Sequence, residues 1–410
     1  MKYGVIGETL AHSFSKEIHA LFFGYDYSLR EVENEELEGF IKSRDFCGIN
    51  VTMPYKTRVI PFLDEVSAEA KRIGAVNTIV NDNGVLKGFN TDFYGLKGLI
   101  ERAGINVRGK KALVCGSGGT SNTAYEVLLS LGAKEIYRLS RRRKDGCITY
   151  EEAYRRHKDA EITVNATPCG MFPNAGDCPI DINAFSSLEG VVDVIYNPLR
   201  SQLVIEAEKR GIKAVGGLYM LVAQAAYAGE LFTGEKVPFE KIESVYREIY
   251  RSKLNVVLTG MPSSGKTTVG RALAKTLGTE FYDTDEMIAE REKRPAAKIF
   301  AQEGEEYFRR VESGIIKELS VRNRCVIATG GGAVLDPSNV DALKGNGRIV
   351  FLDRPLEMLV PTDDRPLSSN RADIEKRYCE RCGIYSSTCD VRVVNDKSVN
   401  DAVAEITEEL

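Results

Sequence analysis

The chain has 410 residues, 43% hydrophobic and 28% charged, a soluble globular composition too long for one compact core; at roughly 100–200 residues per domain it makes about two to four. A net charge of −4 gives no general nucleic-acid footprint, and no apolar run reaches the roughly 18 residues of a membrane span. Nine cysteines without a disulfide-like rhythm, and an opening without the apolar run of a signal peptide, point to a reducing cytoplasm.

Short apolar runs alternate with longer amphipathic stretches, the pattern of α/β units around parallel strands. The first strand reads Tyr3-Gly4-Val5-Ile6-Gly7 and is followed by His12-Ser13-x-Ser15. Gly48 to Lys56 (GINVTMPYK) puts a hydroxyl, Thr52, and a lysine after a strand, and Gly74-Ala75-Val76-Asn77-Thr78 and Gly88-Phe89-Asn90-Thr91-Asp92 add amides and a carboxylate at similar turns. Hydride reduction of a ketone needs a proton donor at the carbonyl oxygen, and Lys56 held by a carboxylate such as Asp92 can supply it.

Lys111 to Cys115 is a strand feeding Gly116-Ser117-Gly118-Gly119 and then a helix, a partial dinucleotide fingerprint. Where an NAD enzyme places an acid for the ribose hydroxyl, after Glu135-Ile136-Tyr137-Arg138-Leu139, the chain reads Ser140-Arg141-Arg142-Arg143-Lys144. A cationic cluster suits a 2′-phosphate, so NADP(H) is expected over NAD. Asn165 to Met171, Asp193 to Pro198 and Gly217 to Ala225 follow. Glu240 to Lys253 is a charged amphipathic helix with no Gly/Ser linker after it, which sets a boundary near residue 252.

The strand Leu254 to Thr259 leads into Gly260-Met261-Pro262-Ser263-Ser264-Gly265-Lys266-Thr267, a full Walker A pattern, with Thr268 next. Its backbone N–H groups surround phosphate oxygens, Lys266 reaches the β/γ-phosphates of a nucleoside triphosphate and the Thr267 hydroxyl ligates Mg²⁺. Phe281-Tyr282-Asp283-Thr284-Asp285 ends in two carboxylates on one strand face; Asp283 could serve Mg²⁺ and Asp285 a polyol. Gly304 to Glu312, Gly330-Gly331-Gly332, Asp364-Arg365-Pro366-Leu367 and Arg381-x-x-x-Tyr385 follow. Cys379-x-x-Cys382 lacks the second ligand pair of a zinc site and reads as ordinary thiols.

On these strings residues 254–410 resemble shikimate kinase, and residues 3 to about 245 resemble shikimate dehydrogenase. The first resemblance implies that Asp285 holds the substrate hydroxyls and acts as base, that Arg309 and Arg381 clamp a carboxylate with Gly331 against the ring, and that Arg365 stabilises the transferring phosphoryl group. The second implies Ser13 and Ser15 on the substrate carboxylate, Lys56 and Asp92 as catalytic pair, and Thr52, Asn77, Tyr196 and Gln224 at the substrate. It puts Thr167 and Gly217 on the cofactor side with Gly116, Gly118, Gly119, Ser140, Arg141, Arg142 and Lys144. Lys16 and Ala20 depart from the dehydrogenase pattern, and Cys382-Gly383 from the kinase pattern.

The expected architecture is α/β throughout: a substrate lobe of residues 1–93 and 218–250, a Rossmann NADP lobe of 94–217, and a P-loop, nucleoside-monophosphate-kinase-like domain of 253–410. The expected function is reduction of 3-dehydroshikimate to shikimate with NADPH, then phosphorylation with ATP to shikimate 3-phosphate. The presence of Lys56, Asp92, Lys266, Thr267, Asp285 and Arg365 argues against a degenerate, binding-only half, and the basic cluster against a quinate-using NAD enzyme.

Overall fold

The computed structural model describes residues 2–10, 13–360 and 371–410, and the chain divides into two compact units, Met1–Ile249 and Tyr250–Leu410. The first unit opens with six strands: β1 Tyr3–Gly7, β2 Tyr27–Glu31, β3 Gly48–Val51, β4 Glu65–Val66, β5 Thr78–Asp82 and β6 Val85–Phe89. They form one sheet in the order β2-β1-β3-β5-β6-β4. β1 runs parallel to β2 and β3, whereas β5 is antiparallel to both β3 and β6. β3 is buried at every residue, as a central strand covered on both faces requires, and the edge strand β2 is mostly exposed.

The strands β7 Lys111–Cys115, β8 Glu135–Ser140, β9 Ile148–Thr149, β10 Ile162–Asn165, β11 Gly190–Asp193 and β12 Lys213–Val215 make a second sheet. Its order is β12-β11-β10-β7-β8-β9 with every pairing parallel, the doubly wound dinucleotide-binding arrangement. The connections leave β7 and β10 in opposite directions, which opens a crevice beyond their carboxyl ends.

Two helices of this unit, Asp92–Arg102 and Leu218–Thr233, lie against each other. Gly95 makes the approach possible: a β-carbon there would stand 2.6 Å from the Met220 carbonyl oxygen and 3.1 Å from Cβ of Gln224. Phe239–Lys253 is the next helix and runs across the boundary between the units.

The second unit is one parallel sheet, β13 Asn255–Thr259, β14 Glu280–Asp283, β15 Cys325–Ala328, β16 Gly347–Asp353 and β17 Val391–Val394, in the order β14-β15-β13-β16-β17. Its central strand β13 is buried throughout and continues into the phosphate loop and the helix Lys266–Leu277. The helix Ala296–Ser320 is broken at Gly304, whose φ of 84° lies in the left-handed region. No helix among the described residues is long and apolar enough to cross a membrane, and the nine cysteines are free thiols.

Gly95→Ala sets a helix-propensity gain of about 1 kcal/mol against overpacking of typically 1–3 kcal/mol. Because the contact is to backbone, which cannot rotate away, the expected outcome is a lowered melting temperature for the first unit. A variant more stable than the parent would show that the two helices are free to separate.

Candidate active sites

In the first unit the Lys56 ammonium lies 2.6 Å from Oδ2 of Asp92, with side chains 16% and 8% exposed. That burial reduces solvent screening of the pair while leaving the lysine reachable. Asp92 is the first residue of its helix, where the positive dipole end favours a carboxylate, and Asn90 Oδ1 accepts the Phe93 N–H at 3.1 Å in the same turn. Lys56 sits in the turn after β3, fixed by the Val76 N–H donating to its carbonyl at 2.7 Å.

Beside the pair lies a buried amide cluster. Asn77 Nδ2 donates to Thr91 Oγ1 at 3.0 Å and to Gln224 Oε1 at 3.5 Å, while its Oδ1 accepts the Thr91 N–H at 2.7 Å. Below it Asn50 donates to Thr78 Oγ1 at 3.1 Å and accepts the Tyr27 hydroxyl at 2.7 Å. Thr52 touches the sheet edge at Gly7, where a β-carbon would stand 2.5 Å from its Cγ2. Ser13 Oγ donates to Ser15 Oγ at 3.1 Å, and Phe14 between them packs edge-on against Tyr196 at 5.3 Å.

Lys56 is the proton donor best placed here. His12 lies outside the described residues. His19 is stacked on Tyr27 and its pKa is lowered to about 3 by burial, so it is neutral at physiological pH. His157 packs instead on Tyr137 of β8.

The glycine loop after β7 closes on the loop after β10: a β-carbon on Gly116 would stand 3.1 Å from both the Ala166 carbonyl and Thr167 Cγ2. A β-carbon on Gly118 would meet nothing within 4 Å, and one on Gly119 would approach Cβ of Lys56 at 3.6 Å. The helix N-terminus at Gly119 therefore presents its N–H groups beside an open space next to the lysine, a fit for a pyrophosphate. Arg141 and Arg142 are exposed beyond Ser140, whereas Lys144 donates to the Ser117 carbonyl at 2.8 Å. Gly217 caps its helix and lies against Val194, where a β-carbon would stand 2.1 Å from the carbonyl oxygen.

In the second unit Gly260, Ser263 and Gly265 take positive φ, curling the loop so that the Lys266 ammonium lies on the Gly260 and Met261 carbonyls at 2.9 and 2.8 Å. Ser264 is buried and its carbonyl accepts from Asn395 at 2.8 Å; Thr268 is exposed on the helix. The Thr267 hydroxyl donates to Asp283 Oδ2 at 2.7 Å, and the other oxygen of Asp283 caps the helix Thr284–Glu292. Among the described residues no group of three or more His, Cys, Asp or Glu could hold a metal. A hydroxyl and one carboxylate fit Mg²⁺, which keeps water and phosphate oxygens as its other ligands.

The glycine triplet after β15 gathers the rest. β-Carbons on Gly330 would stand 2.7 Å from Asp285 Oδ1 and 2.6 Å from Glu312 Oε1, and on Gly332 2.2 Å from the Arg309 guanidinium. The Gly331 carbonyl accepts from Arg381 at 3.1 Å and from the Tyr385 hydroxyl. Arg309 pairs with buried Glu312 at 2.7 Å; burial raises the Glu312 pKa, against the lowering effect of Arg309. Arg365 lies outside the described residues.

Three family models match the chain: a shikimate dehydrogenase substrate-binding domain over residues 5–79, a shikimate 5′-dehydrogenase C-terminal domain over 217–245, and shikimate kinase over 262–410. An NADP⁺ shikimate dehydrogenase of Clostridium perfringens is 36% identical over 271 residues, 60% of this chain and 97% of the relative. The chain belongs to the shikimate dehydrogenase family. Its second unit carries a shikimate kinase domain, and the chain accordingly joins an oxidoreductase to a phosphotransferase.

Solved structures agree. Shikimate dehydrogenase 1 of Peptoclostridium difficile matches with a TM-score of 0.57 and 36% identity, over 61% of this chain and 98% of that one. The Thermus thermophilus shikimate 5-dehydrogenase, solved with NADP(H) and shikimate, matches with a TM-score of 0.55 and 32% identity, over 60% and 99%. A chorismate mutase/shikimate 5-dehydrogenase fusion from Clostridium acetobutylicum matches at 0.57 and 34%, over 60% and 96%.

Sequence reasoning gave no role to Thr91, Asn50 or Glu312. Glu312 had a signal, since it stands three residues after Arg309 on a helix, the spacing of an ion pair. Asn50 and Thr91 lie inside strings read above, but their partners, Tyr27 and Thr78 for the one and Asn77 and Gln224 for the other, are distant in sequence.

Asp193, at the end of β11, is fully buried and accepts from Ser201 at 2.6 Å, the Ile195 N–H at 2.9 Å and Asn165 at 3.0 Å. Burial pushes its carboxyl from 3.8 up to about 6. With the folded pKa above the unfolded one, its contribution to stability is fullest below about pH 4 and declines as pH rises to about 6. Unfolding of the parent and Asp193→Asn should therefore diverge in favour of the variant across that window and stay constant above it. A pH-independent difference would mean that Asp193 stays ionised in the fold.

Proposed function

We propose that the first unit reduces 3-dehydroshikimate to shikimate with NADPH, and that the second then transfers the ATP γ-phosphoryl group to the shikimate 3-hydroxyl. The observation that carries this reading is the Lys56–Asp92 pair at 2.6 Å beside the glycine loop, a proton donor next to the open space at Gly118. It also rests on the relatives named above, since an NADP⁺ dehydrogenase and a shikimate kinase handle the same small acid. Residues 1–93 with 218–250 make the substrate lobe, 94–217 the NADP lobe and 253–410 the kinase.

In the first reaction Ser13 and Ser15 take the substrate carboxylate, and Thr52, Asn77, Tyr196 and Gln224 its remaining polar groups. Lys56 then gives its proton to the ketone oxygen as that oxygen becomes negative, and Asp92 holds the ammonium in line. NADPH, when bound, would supply the hydride; Gly116, Gly118, Gly119, Thr167 and Gly217 would border it, and Ser140, Arg141 and Arg142 would take its 2′-phosphate, with Lys144 held on the glycine loop beside them.

In the second reaction Arg309 and Arg381 clamp the carboxylate against Gly331, because planar guanidinium matches carboxylate geometry. Asp285 accepts the proton of the attacking hydroxyl. Lys266, the loop N–H groups of Gly260 to Thr268 and Arg365 stabilise charge on the transferring phosphoryl group. Thr267 and Asp283 would hold Mg²⁺.

Lys56→Ala should lower dehydrogenase turnover by about 10²–10⁴-fold, the usual worth of a lost proton-transfer group, while the kinase rate holds. Lys266→Ala should abolish the kinase reaction and spare the dehydrogenase; a folded variant that lost both activities would refute independent sites. Full chain supplied with 3-dehydroshikimate, NADPH, ATP and Mg²⁺, followed by mass spectrometry, should accumulate shikimate 3-phosphate with matching loss of NADPH and ATP. A mixture that stopped at shikimate would reduce the second unit to a binding module.

A further inference from the structure

β8 carries an arginine whose neighbours are not those of an ordinary surface cation. Arg138 lies opposite Val114 of β7 and is half-buried. Its Nη1 donates to Asn122 Oδ1 at 2.5 Å, and its guanidinium lies 5.5 Å from the centre of the Tyr125 ring; both partners belong to the helix Gly119–Ser130 that begins at the glycine loop. Its Nη2 donates to the Gly146 carbonyl at 3.4 Å, where the chain returns from the basic turn. Gly146 has a φ of 70°, and a β-carbon there would stand 2.8 Å from Nη2, so the backbone comes down onto the guanidinium.

The outer limb of the same turn is tied separately: Lys144 Nζ donates to the Ser117 carbonyl at 2.8 Å and to its hydroxyl at 3.3 Å. Lys144 thus has its donors on the glycine loop, and Arg141 and Arg142 remain as exposed cations on a turn fixed at both limbs. Arg138 has no carboxylate partner among the described residues. A cation beside the first turns of a helix opposes the helix dipole, an arrangement that a bound anion relieves.

We propose that Arg138 is a positioning residue for cofactor choice: it locks the turn of Arg141 and Arg142 onto the glycine-loop helix, and so sets the preference for NADPH over NADH. The inference rests on the reading of the first unit as NADP-dependent. It predicts a specific signature, because the turn faces the 2′-phosphate and nothing else of the dinucleotide distinguishes the two cofactors.

The test is steady-state kinetics on the full chain at saturating 3-dehydroshikimate, with NADPH and NADH varied in turn, for the parent, Arg138→Leu and Arg138→Lys. Arg138→Leu should raise KM for NADPH about tenfold, the scale of a lost charged hydrogen bond. KM for NADH should move less than about twofold, and the effect should fall on KM rather than kcat; Arg138→Lys should recover part of the loss. Asn122→Ala, which removes one partner without burying an apolar side chain, should lower the NADPH/NADH ratio in the same direction and serves if the leucine variant folds poorly. Equal rises for both cofactors, or an unchanged ratio, would make Arg138 merely structural and overturn the proposal. A parent enzyme without NADPH preference would instead remove the NADP reading on which it rests.

Discussion

Strand direction is the constraint from which both sites follow. In the first sheet β1, β3 and β6 end at the edge where the antiparallel β5 begins, so the residues after β3, before β5 and after β6 share one rim. Those residues include Lys56, Asn77 and Asp92: Lys56 meets Asp92 at 2.6 Å, and Asn77 meets Thr91, the residue before Asp92, at 3.0 Å. The other two sheets obey the same rule, with a glycine loop leaving the carboxyl end of a central strand where connections diverge. Functional groups gather there because strand ends are the places where backbone N–H groups and side chains are not committed to the ladder.

Close packing then decides which of the gathered groups can touch. The helix bearing Gln224 reaches Thr91 only because Gly95 lets two backbones approach, and the Arg309 guanidinium occupies space at Gly332 that any side chain would fill. Neither glycine is used here for an unusual backbone angle; each is used for the absence of a β-carbon. Larger residues would keep the sheets and lose the sites.

The buried carboxylates show how one side chain type is given different work. Asp92 has an ammonium partner at 2.6 Å and stands first in its helix. Asp193 has only neutral donors, so burial prevails and its pKa rises to about 6, suiting it to brace turns rather than to pair with a cation. Glu312 stands between these cases, with Arg309 on one oxygen while burial raises its pKa.

The sequence alone determined the α/β class, the phosphate loop, the basic turn and the families, because glycine spacing and strand-to-helix transitions are local signals that need no distant partner. It also named Lys56 and Asp92, since both lie at turns after apolar strands. Only the tertiary structure decided that these two meet, that Asn50, Thr91 and Glu312 belong with them and their kinase counterparts, and that Lys144 binds Ser117 while Arg138 ties the turn to a helix. The physical reason is range: hydrogen bonds and ion pairs act over about 3 Å, and which groups come that close depends on strand order and on backbone approach at glycines, neither of which is encoded at the positions concerned.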